Sequence, residues 1–210
     1  MEVDLLNRAF RELDIAGLAH PDVQSVRAML QEPLDYLPPY LVAFVALAQH
    51  HGVPTRLLDW TTQGKVAAYF AAADIAHKNA TAETLEIVAI NVGAIEIAKL
   101  MRKDENELFR VEHAPRSSNA NLHAQSGVFT VCHGLYTETP LDKLILKRLA
   151  DTQPKPVIQR LTFPQSMAGR LLQSLYFEGV SGSTMFPGYD GTVKRLKEEK
   201  FYTLPFSVHP

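Results

Sequence analysis

The sequence has little of the chemistry that marks several common classes of protein. Cys132 is its single cysteine, so no disulfide can form within the chain, and this fits a reducing compartment. The longest uninterrupted apolar run, residues 40–48, is too short to span a bilayer. The first four residues have neither the basic start nor the apolar core of a secretory signal. We therefore expect a cytoplasmic protein with no membrane partner.

Neither sign of charge is in excess. The 21 lysines and arginines face 23 aspartates and glutamates, which gives a formal net charge of -2. Bulk nucleic-acid binding requires a dense positive surface, so we do not expect it. A composition with 46% hydrophobic and 21% charged residues is typical of a folded globular protein. The length of 210 residues fits one domain, or one domain with an appendage.

Helical spacing dominates the first third of the chain. The first segment carries apolar residues that recur on one helical face, namely Leu5, Leu6, Phe10 and Leu13. Further helices are predicted over residues 23–31, 40–49 and 65–77. Gly52 and Pro54 end the helix over 40–49, since glycine supplies a C-terminal cap and proline cannot continue a helix.

Beyond residue 79 the pattern changes to that of strands. Strands are predicted over residues 85–91, 128–132, 144–149 and 157–163, in addition to a short buried strand over 55–59. Helices are predicted over 93–103 and 166–178, and loops over 109–121 and 183–191. Asp190 is expected to cap a final helix that ends at Lys200, and the charged run from Lys194 indicates a solvated face. This order of elements predicts an α+β fold.

The richest chemistry lies between Gln49 and Thr61. These thirteen residues include two histidines, one arginine, one aspartate, two threonines and the only tryptophan. Polar groups between two apolar helices either reach solvent in a cleft or are satisfied internally. In a purely structural corner, Arg56 would pair with Asp59, His50 would bond a backbone carbonyl, and Trp60 would fill the core. The alternative is a ligand site.

The same stretch resembles the motif of the FRG domain, which reads approximately aQHxGxPTRLLDWTxxPxvAlyFA. Residues 48–61, AQHHGVPTRLLDWT, and residues 66–71, VAAYFA, are similar to it, and Gly64 stands where proline is usual. QSGVF at 125–129 and FPGYDG at 186–191 are similar to two further landmarks of the family, QxGxF and FPDLDG. Because these sites are ordered along the chain, the resemblance covers most of it, from about residue 43 to residue 196.

The resemblance implies two parts, a helical N-terminal segment over residues 1–40 and an FRG-like domain over residues 41–210. The Phe/Tyr-Arg-Gly triplet that names the family does not occur in the sequence. Phe10-Arg11-Glu12 lies on the first predicted helix and is not its equivalent. The triplet either lies upstream of this sequence or was lost. A triplet just upstream of Met1 would favour an enzyme.

The layout of the family resembles that of ADP-ribosyltransferases, which implies a mixed or antiparallel sheet as the core of the α+β fold. On this resemblance Asp59 belongs to the middle strand of the site. Gln125 stands where those enzymes have a glutamate that stabilises the sugar cation as nicotinamide leaves. A neutral amide cannot supply that charge, so we expect weak or no turnover of NAD by this chain.

The resemblance also implies NAD as substrate or ligand. The catalytic candidates are Gln125, Asp59 and His50, and the candidates for nucleotide binding are Thr55, Arg56, Trp60, Thr61 and Tyr69. Arg56 has the forked donors that suit a pyrophosphate, and the rings of Trp60 and Tyr69 could stack on a base. No metal is expected, because His113, His123 and His133 lack the short spacing of zinc ligands.

Three functions follow from these observations. The first is an NAD-directed enzyme of ADP-ribosyltransferase or NAD glycohydrolase type, a toxin or defence effector of a bacterium or phage that modifies a protein or another acceptor. The second is a non-catalytic module that binds a nucleotide, another small molecule or a partner. The third is a protein whose motif is purely structural. The sequence leaves the oligomeric state undefined.

Overall fold

The structure is a computed structural model that describes residues 2–18, 37–78, 83–96, 109–113, 120–132, 143 and 157–202. Its helices are α1 (Glu2–Ile15), α2 (Val42–His50), α3 (Gly64–Lys78), α4 (Ala120–Ala124), α5 (Ala168–Phe177), α6 (Gly182–Met185) and α7 (Tyr189–Glu198). Its strands are β1 (Leu57–Thr61), β2 (Thr84–Ile90), β3 (Phe109–Glu112), β4 (Gly127–Cys132) and β5 (Ile158–Pro164). Single turns of 3-10 helix occupy Pro39–Leu41, Gln165–Met167 and Glu199–Phe201, and residues 92–96 are helical.

These elements form helices and antiparallel strand pairs, which confirms the predicted α+β class. The described residues divide into two compact units. The first unit contains 2–18, 37–60, 93–96, 109–113, 127–132 and 143, and the second contains 61–78, 83–92, 120–126 and 157–202. The predicted helix over 23–31 and the predicted strand over 144–149 lie outside the described residues.

In the first unit, α1 is the amphipathic helix that its apolar spacing predicts. Leu6 and Phe10 are buried, and the ring of Phe10 meets the ring of Phe44 edge-on with centroids 5.9 Å apart. The predicted end of α2 is also confirmed. Gly52 adopts a positive φ of 89°, and the N–H of Val53 donates to the Ala48 carbonyl at 3.0 Å.

A sheet in the first unit has β4 as its central strand, with β1 and β3 on either side. β3 pairs antiparallel with β4, so that Arg110 lies opposite Val131. The loop predicted over 109–121 is therefore wrong at both ends, because β3 and the start of α4 fall inside it. A four-residue strand carries too little periodicity to be seen alone, and it forms because β4 supplies its backbone hydrogen bonds.

Strand β1 begins two residues later than predicted and is not fully buried. The side chain of Leu57 is buried, but those of Leu58 and Asp59 are exposed. At the first residue of the strand, the Leu57 N–H donates to the hydroxyl of Thr55 at 3.2 Å. That local turn delays the strand, and the exposed middle of β1 leaves Asp59 accessible.

In the second unit, β2 and β5 form an antiparallel pair in which Ile87 lies opposite Leu161. Helix α3 packs against α5 and β2, and its alanines allow the close approach. The core of this unit is lined by buried apolar side chains from these elements, including Val66, Tyr69, Ala72, Leu85, Leu172 and Leu175.

The C-terminal part of the second unit corrects two predictions. The loop predicted over 183–191 contains most of α6 and the start of α7. Asp190 does not cap α7, because Gly188 is the N-cap residue and Asp190 lies in the first turn. Gly188 has a φ of 115°, a conformation that strongly favours glycine and that redirects the chain into the helix.

Candidate functional site

The motif in the first unit forms a chain of hydrogen bonds between the end of α2 and the middle of β1. Nε2 of Gln49 donates to Oδ2 of Asp59 at 2.8 Å. The hydroxyl of Thr55 donates to Oε1 of Gln49 and accepts the N–H of Leu57. Gln49, Thr55 and Asp59 are therefore one polar network, with Asp59 at its end.

His50 lies beside this network and interacts electrostatically with Asp59. Burial lowers the pKa of His50, the neighbouring His51 lowers it further, and Asp59 opposes both. Burial raises the pKa of Asp59, while the hydrogen bond from Gln49 and the charge of His50 lower it. Both side chains also reach solvent. An imidazole and a carboxylate thus share an accessible surface, each favouring its neutral form more than it would in water.

The other predicted binding residues of this unit frame the same stretch. Nε1 of Trp60 donates to the hydroxyl of the buried Thr130 at 3.0 Å, so β4 fixes the orientation of the indole on β1. The Trp60 ring is half-buried, and Arg56 is half-buried on the turn that precedes β1. The hydrogen bond that we find on Asp59 comes from Gln49, and the predicted pairing of Arg56 with Asp59 stays a prediction.

In the second unit, the end of β1 is joined to the QSGVF landmark. The hydroxyl of Thr61 donates to the backbone carbonyl of Gln125 at 2.8 Å, and the N–H of Thr62 donates to the carbonyl of Ser126 at 3.3 Å. Nε2 of Gln63 donates to the Ser126 hydroxyl at 2.6 Å. The expected approach of Gln125 to this part of the motif is confirmed at Thr61.

Ser126 is a non-glycine residue with a φ of 49°, and its side chain is buried. This left-handed conformation is unfavourable for most residues and persists where surrounding contacts hold it. Here its N–H donates to the carbonyl of His123, while its carbonyl and hydroxyl accept the bonds from Thr62 and Gln63. Ser126 is therefore held on three sides at the turn between α4 and β4.

Gln125 also connects the second landmark to the third. Its side-chain Nε2 donates to the backbone carbonyl of Met185 at 3.0 Å, immediately before the FPGYDG landmark. The three motif regions represented by Thr61, Gln125 and Met185 thus meet in one hydrogen-bonded series within the second unit. This geometry gives the Gln125 amide a structural contact, and its predicted catalytic role stays a prediction.

Tyr69 lies in the core of the second unit, with 1% of its surface exposed. Its hydroxyl donates to Oε1 of Glu198 at 2.6 Å, and Glu198 is fully buried at 0% exposure. Burial raises the pKa of Tyr69, and its bond to Glu198 raises it further. The solvated face predicted for the charged run from Lys194 is wrong at Glu198. The predicted nucleotide contact of Tyr69 stays a prediction.

Gln49 belongs to the motif, but the sequence predicts no role for it. The missed signal is its position at the last turn of a helix, ten residues before Asp59, where only the fold reveals that the two side chains meet. Among the described residues, no group of three or more His, Cys, Asp or Glu side chains is arranged to hold a metal ion. Within the same residues, no helix has the length and apolar character needed to cross a membrane.

The family model of the FRG domain matches residues 7–80. This match contains α1, α2, β1 and α3, and with them the whole polar network around Asp59. The resemblance drawn from the motif is thereby confirmed over residues 7–80, which match the FRG domain. The QSGVF and FPGYDG landmarks lie beyond the matched residues. No curated protein and no solved structure shows significant similarity to the chain.

Proposed function

We propose that the chain is an NAD-directed protein of ADP-ribosyltransferase or NAD glycohydrolase type whose site lies on the first unit. One observation carries the proposal: His50 and Asp59 share an accessible surface inside the motif, and their local environment displaces both pKa values. Displaced pKa values in accessible groups are typical of acid–base sites. The motif supplies His50 at the end of α2 and Asp59 in the middle of β1.

In the proposed reaction, the bond between C1′ of the ribose and the nicotinamide nitrogen breaks, and nicotinamide leaves with the bonding electrons. The ribose carries positive charge in the transition state, and the Asp59 carboxylate stabilises it. An oxygen of water or of an acceptor forms the new bond to C1′. His50, kept neutral near pH 7 by its lowered pKa, accepts the proton that this oxygen gives up.

Two further residues of the first unit suit the ligand. Arg56 stands at the start of the same segment and has the forked guanidinium that binds phosphate oxygens. Trp60 is held by Thr130, so its half-buried ring presents a fixed surface for stacking on a base or a nicotinamide ring. An ADP-ribosyltransferase-like core, and a role as a toxin or defence effector of a bacterium or phage, belong to this proposal through the family resemblance.

A specific observation favours a second candidate, a module that binds the nucleotide or a partner without turnover. The side-chain amide of Gln125 donates to the Met185 carbonyl, and its backbone carbonyl accepts from Thr61. A glutamine held in this way has a structural role, and it brings no negative charge to a sugar cation. The chain would then bind the nucleotide without turning it over. Arg56, Trp60 and Asp59, which belong to the first unit, do not depend on the charge that Gln125 lacks.

Two assays test the proposal on the purified chain. Calorimetric titration with NAD and with ADP-ribose measures binding, and release of nicotinamide measures chemistry. We expect binding of both ligands and slow release of nicotinamide, which Asp59→Asn and His50→Gln reduce by about a hundredfold or more. Release that is unaffected by both variants would overturn the acid–base assignment. Binding without any release would establish the nucleotide-binding module, and no binding of either ligand would overturn the enzyme and the nucleotide-binding form of the module.

A further inference from the structure

The direction of the Gln49 amide is determined by its neighbours. An ionised carboxylate has only acceptors, so the atom of Gln49 that lies 2.8 Å from Oδ2 of Asp59 must be the amide nitrogen. The amide oxygen then faces Thr55. Leu57 donates its N–H to the Thr55 hydroxyl, and the proton of that hydroxyl is directed to Gln49.

A reversed amide would not fit the same surroundings. It would place the amide oxygen against a carboxylate oxygen, and the two acceptors would repel one another. It would also turn the amide nitrogen toward Thr55, and the Thr55 hydroxyl would no longer donate to Oε1 of Gln49. Each bond in the series therefore supports the same orientation, and aligned hydrogen bonds strengthen one another.

We infer that Gln49 is a positioning residue that holds the Asp59 carboxylate in one orientation beside His50, and that Thr55 fixes the direction of the Gln49 amide. The effect of this positioning on turnover rests on the proposed function. The positioning of the Asp59 carboxylate does not rest on it, because the hydrogen bond from Gln49 is present in the protein without ligand. This inference gives Thr55 a role different from the nucleotide contact predicted from the sequence.

The geometry accounts for why the motif needs a glutamine at this position. An amide offers a donor to Asp59 and an acceptor to Thr55 at the same time. A glutamate would lose the donor and set a second carboxylate against Asp59, and a methionine would keep the volume but lose both polar groups. The ionisable groups that interact electrostatically on this surface include Asp59, His50 and His51.

The first experiment measures the titration of Asp59 by carboxyl-carbon NMR in the full chain without ligand. Because the bond from Gln49 favours the ionised carboxylate, Gln49→Met should raise the pKa of Asp59. Thr55→Val should raise it by less, since the amide remains but loses its anchor, and Thr55→Ser should restore the wild-type titration. Gln159→Met, at an exposed glutamine on β5, is the matched control and should change nothing.

An unchanged Asp59 titration in folded Gln49→Met would overturn the inference. So would equal effects of Thr55→Val and Thr55→Ser. If Gln49→Met does not fold, the threonine pair still decides the question, because valine and serine differ from threonine by one group each. A folded Gln49→Glu variant should show two coupled carboxyl titrations in place of one.

The second experiment applies where the chain releases nicotinamide from NAD. Gln49→Met should lower kcat by about a hundredfold, the typical loss when a catalytic group is misplaced by about 1 Å, and should change KM little. An unchanged kcat with a raised KM would show that Gln49 contacts the ligand, which contradicts a positioning role. If the chain releases no nicotinamide, this experiment cannot be done, and the NMR titration alone decides whether Gln49 positions Asp59.

Discussion

The hydroxyl of Tyr69 donates a 2.6 Å hydrogen bond to Glu198, and the two buried side chains are 129 residues apart in the sequence. The other oxygen of Glu198 accepts the N–H of Gly182 at 3.1 Å. One carboxylate thus connects α3, which carries the end of the FRG motif, to α6 and α7. A buried charge of this kind is costly unless its partners are in place.

Tyr69→Phe should therefore destabilise the protein by about 1–3 kcal/mol, because it keeps the ring and removes one donor from a buried acceptor. The free energy of unfolding in urea measures the effect. Tyr189→Phe makes the same change at a tyrosine that is 93% exposed and should stay within about 0.5 kcal/mol of the wild type. Equal stabilities of the two variants would show that Glu198 does not depend on the Tyr69 hydroxyl.

Gly191 occupies a place where no side chain fits. A Cβ atom there would overlap the carbonyl oxygen of Phe186 and lie 2.7 Å from that of Gly182. Since both neighbours are backbone atoms, Gly191→Ala should cost about 1–3 kcal/mol or more. Gly64→Ala is the matched control, because nothing lies within 4 Å of the added atom and Gly64 has no positive φ. Thermal unfolding should give Gly191→Ala a Tm below that of the wild type and Gly64→Ala a Tm at or above it.

The apolar periodicity of α1, α2, α3 and α5 was sufficient to predict these helices, because each buries a long stripe of side chains. Strand β3 could not be predicted, since its four residues form a strand through pairing with β4. The start of α7 was missed for a different reason. Asp190 is a common cap residue, but the positive φ of Gly188 places the cap two residues earlier.

The candidate site was predictable in its residues and not in its contacts. The motif located Asp59 and His50, and the structure places them in electrostatic contact. The pairing of Gln49 with Asp59 depends on how the chain turns after α2, which no periodicity reports. The burial of Glu198 was likewise hidden, because a charged run on a terminal helix usually faces solvent.

Gly64→Pro should stabilise the protein by about 0.4–1 kcal/mol, since Gly64 is the first residue of α3 and proline suits that position and restricts the unfolded chain. The change restores the residue that is usual in the FRG motif. Ala67→Pro, one turn further on, should instead cost about 3 kcal/mol or more, because the Ala67 N–H donates to the Gln63 carbonyl. A loss of stability in Gly64→Pro would contradict an unstrained first turn.

Gln125→Glu tests whether Gln125 has a structural role or stands in place of a catalytic glutamate. The variant loses the donor to Met185 and sets a carboxylate against a carbonyl oxygen, so it should lower the free energy of unfolding by about 1–3 kcal/mol. It should not increase nicotinamide release. Gln173→Glu at another buried glutamine, on α5, separates a specific loss from the general cost of burying a charge. A stable Gln125→Glu variant with faster release would favour the catalytic role.

The stability of the first unit should depend on pH through His50. Burial and His51 hold the pKa of His50 below its ordinary 6.5, so between the folded value and 6.5 the unfolded chain binds more protons than the folded one. The contribution of His50 is therefore fully present above pH 6.5 and is lost as the pH falls through the folded value.

Urea midpoints at pH 7.5 and at pH 5.5 should then differ less in His50→Gln than in the wild type, because glutamine does not titrate. His123→Gln, at an exposed histidine on α4, controls for the removal of an imidazole.

Asp59, whose pKa is raised, acts in the opposite sense. Its contribution to stability is present below its ordinary pKa and is lost as the pH rises through its pKa in the folded protein. In Asp59→Asn the carboxylate that supports protonated His50 is gone, so the loss of stability between pH 7.5 and pH 5.5 should be larger than in the wild type. A smaller loss in Asp59→Asn would show that the two groups do not interact across the site.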